Sequence, residues 1–217
     1  MAEKIVTYDI ANTGIAIPID REEFYREQVE VSERGEKPSR AAGIIAVFLF
    51  NSHGEIFIQK RAYTKNHNPG LFDKSIGGHI QEGDTPDYTT MVETIQELQT
   101  PSMVLKNRED FLKTLTLLKE YLKTVSIIQY IKTEPNMLSR VINQKKVNIA
   151  NVSALYFGVY DGRIRPVDRE AKGILWYSFD ELIMEMNKMP DAFTQDLHFY
   201  VKKYEREMRE FISVIAT

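Results

Sequence analysis

The run AAGIIAVFLF, residues 41–50, constrains the fold more than any other stretch. It is about half as long as the roughly 20 apolar residues a membrane-spanning helix requires. A polar linker, ERGEKPSR (33–40), precedes it, and Asn51, Ser52 and Gly54 follow it as turn residues. A short, unbroken apolar run bounded in this way reads as a strand covered on both faces. IFIQKR then leaves toward the surface, so the two segments are expected to form a hairpin.

The remaining pattern supplies the covering layers. Residues 3–18 read as two short strands around an Asn-Thr-Gly turn, followed by a helix at 21–29. Asn68-Pro69-Gly70 marks a turn in a loop at 64–76. A helix is expected from Pro86 to Leu98, with Thr85 as its N-cap, Pro86 at its first position and Pro101 closing it. A second helix, 108–124, has Asn107 as its cap, Glu109 and Asp110 in its positive first turn, and one apolar stripe through Phe111, Leu115, Leu118 and Leu122. Strands are expected at 126–132, 152–162 and 174–178. A short helix at 179–188 and one long amphipathic helix at 195–215 end the chain. Interleaved strands and helices predict an α+β, mixed α/β layered fold in one domain spanning 1–217. The stripes on 108–124 and on the last helix fit either a homodimer interface or a cover for the sheet.

Composition excludes several function classes. Without cysteine the chain has no disulfide, no thiolate nucleophile and no Cys-ligated zinc. A net charge of -3 gives no basic surface for nucleic acid or an anionic membrane. The beginning, MAEKIVTYDI, has no basic segment leading into an apolar core, so a cytoplasmic location is expected.

The stretch GGHIQEGDTPDYTTMVETIQEL, residues 77–98, carries the candidate chemistry. Residues four apart on a helix point within roughly 40° of each other. Glu93 and Glu97 therefore share a face, with Gln96 beside them. Gly77 and Gly78 let backbone approach a ligand with no Cβ in the way. Mg²⁺ takes oxygen ligands and is completed by waters and substrate phosphate, so Glu93, Glu97, Gln96 and the Gly77 carbonyl form a candidate metal set. Arg61, at a strand end, suits bidentate phosphate contact, whereas Lys60 reads as a solvated strand end. Glu82 and Asp84 precede the helix, where its positive end alone accounts for acids; Glu82 is also a candidate for the site. His67 reads as a surface-loop residue, and Trp176 and Tyr177 as core.

These residues resemble a Nudix box, G-x5-E-x7-R-E-U-x-E-E-x-G-U, where U is bulky and apolar. Gly78 matches the leading glycine, Asp84 the first glutamate, Glu93 the glutamate of the R-E pair and Glu97 the second of the E-E pair. The chain departs from the pattern at Val92, Thr94, Gln96 and Gln99, where the pattern has Arg, an apolar residue, Glu and Gly. The N-P-G before G-G-H is most similar to the branch with type I isopentenyl-diphosphate isomerases and related hydrolases. The resemblance covers roughly residues 41–185. It implies a Nudix-like α/β/α sandwich with a mixed sheet, elaborated by the helix at 108–124 and a long C-terminal helix.

The resemblance also implies Mg²⁺ or Mn²⁺ as cofactor and hydrolysis of a small-molecule diphosphate, a nucleoside-diphosphate-X or another organic diphosphate. Glu93 and Glu97 would serve the metal, and Glu97 or Glu170 would activate water. His79 and Gly78 would lie against substrate. A fold that has lost catalysis and binds a ligand or protein partner is the alternative, motivated by Val92, Gln96 and Gln99. Isopentenyl-diphosphate isomerisation needs an acid–base pair across the alkene; the cysteine of that branch is Gly77 here.

Overall fold

The computed structural model describes residues 3–142, 145–164 and 171–216. Its ten strands are β1 (Lys4–Asp9), β2 (Asn12–Asp20), β3 (Arg40–Phe50), β4 (Ile56–Arg61), β5 (Phe72–Asp73), β6 (Ile76–His79), β7 (Ser102–Leu105), β8 (Ser126–Ile142), β9 (Lys145–Val159) and β10 (Ala171–Tyr177). The helices are α1 (Arg21–Glu33), α2 (Pro86–Leu98), α3 (Arg108–Leu118), α4 (Phe179–Lys188), α5 (Gln195–Lys203) and α6 (Glu205–Ile215). The mixed α/β layering expected from the sequence is present.

The strand β3 is central, and its residues 41–50 are all buried. Ala46, Phe48 and Phe50 point into one core, covered by α3, α4, α5 and α6, while Ile45, Val47 and Leu49 point into a second that includes Leu98 of α2. Strand alternation thus turns one apolar run into the seam between two layers. One edge of β3 pairs in parallel with β9 from Ala42 to Phe50. The other edge is shared in succession by β1, β6 and, at Phe50 alone, β4.

The expected hairpin therefore closes only at its turn. The strand β4 departs to pair with β10 and β5, and β6 enters beside β3 in its place. A splayed pair leaves backbone groups without ladder partners, and buried ones must be satisfied. Ser75 does this: its hydroxyl accepts from Leu49 N at 2.8 Å and donates to the Phe57 carbonyl at 2.7 Å. The fork separates Gln59 and Arg61 on β4 from Gly77, Gly78 and His79 on β6, and a cavity lies between them.

Several boundaries differ from expectation. The glycine pair sits in β6 rather than in a loop. The helix α2 has its expected bounds: Thr85 caps it, accepting from Tyr88 N at 3.2 Å, and it ends after Leu98 with Gln99 in a left-handed conformation (φ 53°), which rather than Pro101 supplies the stop. The strands β8 and β9 extend past the cavity as a long hairpin, onto which α1 packs through Phe24 and Tyr25. The expected single helix at 195–215 breaks at Tyr204, whose ring hydroxyl bonds Glu134 while Lys203 reaches the same carboxylate at 2.7 Å. The apolar stripes of α3, α5 and α6 are spent within the chain: Phe111, Leu197, Met208 and Phe211 all join the larger core. Among the described residues, no helix is long and apolar enough to cross a membrane.

Candidate active site

The cavity measures about 470 Å³ and is walled by α2, β4, β6, the 64–68 loop, Arg21, Glu22 and Tyr25 of α1, and single residues from β8 and α5. On the α2 side, Glu93, Gln96 and Glu97 all line it, as the one-face argument anticipated. Glu97 is buried and accepts from Gln59 Nε2 at 3.3 Å, whereas Gln96 is exposed. Gly78 permits the approach of Glu93, since a Cβ there would stand 2.2 Å from Glu93 Oε1. Gly77 does the same for Lys74: its Cβ would lie 2.8 Å from Lys74 Cε. The two glycines are thus a cradle, one for an acid and one for a base.

The opposite wall was not anticipated. Asp73 Oδ1 lies 3.4 Å from Lys74 Nζ, Asp73 Oδ2 accepts from Arg61 at 3.1 Å, and Thr194 donates to Asp73 at 2.9 Å. Lys74 also lies 3.4 Å from Asp196 Oδ2, to which Arg140 donates at 3.1 Å. Arg140 continues to the Tyr25 hydroxyl at 3.1 Å, which meets His79 Nε2 at 2.9 Å. From Glu97 through Gln59 to its register partner Asp73, then Lys74, Asp196, Arg140, Tyr25, His79, Gly78 and Glu93, a series of neighbours runs along the cavity lining.

Charge sets the protonation states along this lining. Lys74, followed by Arg61, holds the Asp73 carboxyl far below its ordinary value, against the effect of its burial. Burial alone would lower the Arg140 pKa, but Asp196 more than compensates and raises it. His79 is held well below the ordinary imidazole value by burial and then by Arg21 and Arg140. His67 is lowered to about 4 by burial and then by Arg140 and Arg61. Both imidazoles are therefore neutral at neutral pH, and neither adds to the cationic wall.

Of the residues singled out by sequence, Arg61, Gly77, Gly78, His79, Glu93, Gln96 and Glu97 meet at the cavity. Arg61 is already engaged with Asp73 and the His67 carbonyl. Glu82 does not line it; its side chain is half exposed and lies 3.6 Å from Lys4. Asp84, with Val92 and Tyr88, borders a smaller adjoining cleft of about 260 Å³. Glu170 lies outside the described residues. His67 is not a surface-loop residue: it lines the cavity and packs on the Tyr25 ring at 4.3 Å between centroids. Lys60 does not line the cavity; it is half-buried, its ammonium over the Phe72 ring, and Trp176, expected in the core, packs on Phe57 at the surface and is 36% exposed.

Sequence reasoning missed Tyr25, Gln59, Asp73, Lys74, Arg140 and Asp196. Asp73-Lys74 carried a usable signal, a charged pair interrupting the apolar LF–SI stretch before the glycines. Asp196 gave none, because an acid in the first turn of a helix is explained by the helix itself.

The donor set suits a hard divalent cation. Mg²⁺ is commonly held by one or two carboxylates plus substrate phosphate, keeping several waters. Glu93, Gln96, Glu97 and Gly77 line the cavity together and would be the residues to hold such an ion. Among the described residues no group of three or more His, Cys, Asp or Glu encloses an ion.

Comparison with known proteins agrees with this architecture. An isopentenyl-diphosphate Delta-isomerase of Streptomyces coelicolor is 26% identical over 146 residues, 67% of this chain and 61% of that protein. A protein of the same name from Serratia proteamaculans is 25% identical over 149 residues, 69% of this chain and 68% of that protein. The match thus spans about three fifths of the first relative's length. The crystal structure of DR0079 from Deinococcus radiodurans superposes with a TM-score of 0.61, covering 93% of this chain and 98% of that one at 15% identity, a likeness of fold. The model of the NUDIX domain matches residues 39–197, which include β3, the glycine pair, α2, Arg140 and Asp196. The chain therefore belongs to the NUDIX domain family.

Proposed function

We propose that this chain is a divalent-metal-dependent hydrolase of the diphosphate bond in a small organic or nucleoside diphosphate. One observation carries the reading: two carboxylates one turn apart on α2 face a cavity whose other wall presents Arg61, Lys74 and Arg140. A diphosphate bound between them meets cations on one side and, on the other, carboxylates that repel it unless a cation intervenes.

Glu93 and Glu97, with Gln96 and the Gly77 carbonyl, would hold Mg²⁺ or Mn²⁺. When bound, such an ion supplies charge neutralisation at the diphosphate oxygens. The chain's own residues do the rest. Glu97 or Glu170 takes a proton from the attacking water, a P–O bond forms, and the bridging oxygen leaves with the electron pair of the bond it breaks. Arg61 and Lys74 stabilise negative charge on the departing phosphate. His79, neutral and joined to the Tyr25 hydroxyl, lies beside substrate as a hydrogen-bonding group. The test is hydrolysis across a panel of diphosphates with Mg²⁺ or Mn²⁺. Turnover that is absent, or that survives Glu93→Gln combined with Glu97→Gln, sinks this mechanism.

A second reading is a domain that binds a diphosphate or a partner without turning it over. The exposed Gln96 amide, standing where the family pattern has the first of its paired glutamates, favours it. It predicts binding by calorimetry that is indifferent to divalent metal. Isomerisation of isopentenyl diphosphate, the activity in the names of the two relatives, has no thiol available at Gly77; dimethylallyl diphosphate appearing on incubation would revive it.

A further inference from the structure

We infer that Tyr25 is a positioning residue. Its hydroxyl fixes the His79 ring with Nε2 as acceptor and the ring proton on Nδ1, so that His79 meets a bound diphosphate as an uncharged N–H donor. The donor role rests on the hydrolase reading above; the state of the ring does not.

The direction of each hydrogen bond follows from what its partners can do. A carboxylate only accepts, so Arg140 donates to Asp196 Oδ2 at 3.1 Å. A guanidinium has no acceptor, so its contact with the Tyr25 oxygen at 3.1 Å is a second donation. The phenol then has one proton to place, and His79 Nε2 lies 2.9 Å away. Were that nitrogen protonated, two donors would converge on the phenol oxygen, and the phenol proton would have no acceptor among the described residues. Tyr25 is 6% exposed, and leaving a buried donor unpaired disfavours an arrangement by roughly fivefold to a hundredfold. The same holds for a doubly protonated ring. The neutral ring therefore carries its proton on Nδ1.

The fold holds Tyr25 where it can do this. Asp20 caps α1, accepting from Glu22 N and Glu23 N at 3.0 Å. Further along, the buried Gln28 amide ties the helix to two strands. It donates to the Arg40 carbonyl of β3 and accepts from Ala150 N of β9, each at 3.1 Å. The Tyr25 ring packs on His67 at 4.3 Å and meets the His79 ring edge-on at 5.7 Å between centroids. With Nε2 engaged, Nδ1 is the other polar atom of a ring that lines the cavity. Diphosphate oxygens only accept, so Nδ1–H can donate to them, whereas a bare Nδ1 lone pair would repel them.

The experiment is NMR of the imidazole nitrogens in the full chain carrying isotope-labelled histidine, His79 being identified by its loss in His79→Gln. In the free protein Nε2 should resonate at the unprotonated position and Nδ1 at the protonated one. Tyr25→Phe keeps the aromatic ring and removes the hydroxyl. It should move the Nε2 signal toward the protonated position and lower kcat/KM on a diphosphate by about tenfold. Methylenediphosphonate with Ca²⁺, whose binding is read from its phosphorus signal, should shift the Nδ1–H proton downfield. If Tyr25→Phe does not fold, the wild-type spectrum decides alone. A protonated Nε2 in the wild type, or a Tyr25→Phe spectrum identical to it, overturns the inference. An Nδ1–H signal that bound methylenediphosphonate leaves unmoved, no binding of that probe, or an unchanged kcat/KM in Tyr25→Phe overturns the donor role. A ring fixed as described, in a protein that turns over no diphosphate, overturns the hydrolase alone.

Discussion

The two walls of the cavity are built on opposite principles. The α2 wall is local: Glu93, Gln96 and Glu97 come from neighbouring turns of one helix and line the cavity, with Glu97 buried and accepting from Gln59. The facing wall is assembled from α1, the β5–β6 segment, β8 and α5, and its charges are paired and largely buried, Lys74 at 7% and Asp196 at 3% side-chain exposure. The first takes its directions from helix geometry alone, and the second spends its charges on one another to hold donors in fixed directions. A buried ion network is costly to break, because removing one member leaves the others charged and unpaired.

That contrast predicts where substitutions act. Asp196→Ala should lower stability by about 3–5 kcal/mol, since Lys74 and Arg140 lose their shared acceptor. Urea denaturation measures this, and a loss near zero would mean that the network is not a stabilising unit. On the other wall, Glu93→Gln with Glu97→Gln, which keeps the shape of both side chains, should move the denaturation midpoint less than Asp196→Ala does, while kcat/KM on a diphosphate substrate falls by about 10³-fold or more. Gly78→Ala tests the cradle directly. Its Cβ must displace the Glu93 carboxylate, so affinity for Mn²⁺ should weaken by about tenfold at little cost in stability.

Smaller effects sharpen the difference. His67 protonates near 4 in the fold and near its ordinary 6.5 when unfolded, so the unfolded chain binds more protons between those values. Its contribution is therefore complete above about pH 6.5 and is lost as pH falls toward 4, with His79 acting in the same sense. Unfolding at pH 7 and pH 5 should differ by about 1–2 kcal/mol, and His67→Gln should flatten the slope. The smallest effect belongs to the end of α2. Gln99 adopts a left-handed conformation that favours glycine, so Gln99→Gly should stabilise by about 0.5–1 kcal/mol and raise the melting temperature by a few degrees.

Much of the α2 wall was legible because a helix converts spacing into direction with no help from the rest of the chain. Thr85, Pro86 and the four-residue step to Glu97 were enough. The same local logic placed the end of that helix at Leu98, where it lies, although Gln99 rather than Pro101 supplies the stop. It also overextended the last helix, where periodicity runs through Tyr204 but a bond to Glu134 on β8 breaks it. Glu82 shows the reverse error: adjacency to the motif suggested a role, and the chain turns it toward Lys4 at the surface. His67 looked isolated because its partners, Tyr25 and Arg140, lie far away in sequence.

By itself, then, the sequence determined the doubly covered strand at 41–50, the capped helix α2, and the common face of Glu93 and Glu97. Each follows from the period of a single element. Tertiary structure alone decided that β4 leaves β3 so that β6 can enter, and that Ser75 satisfies the fork. It also decided that Lys74, Arg140 and Asp196 meet. Residues separated by up to 122 positions form contacts only after the sheet and helices have closed around them, and their pairing energy appears only in the buried surroundings that closure creates.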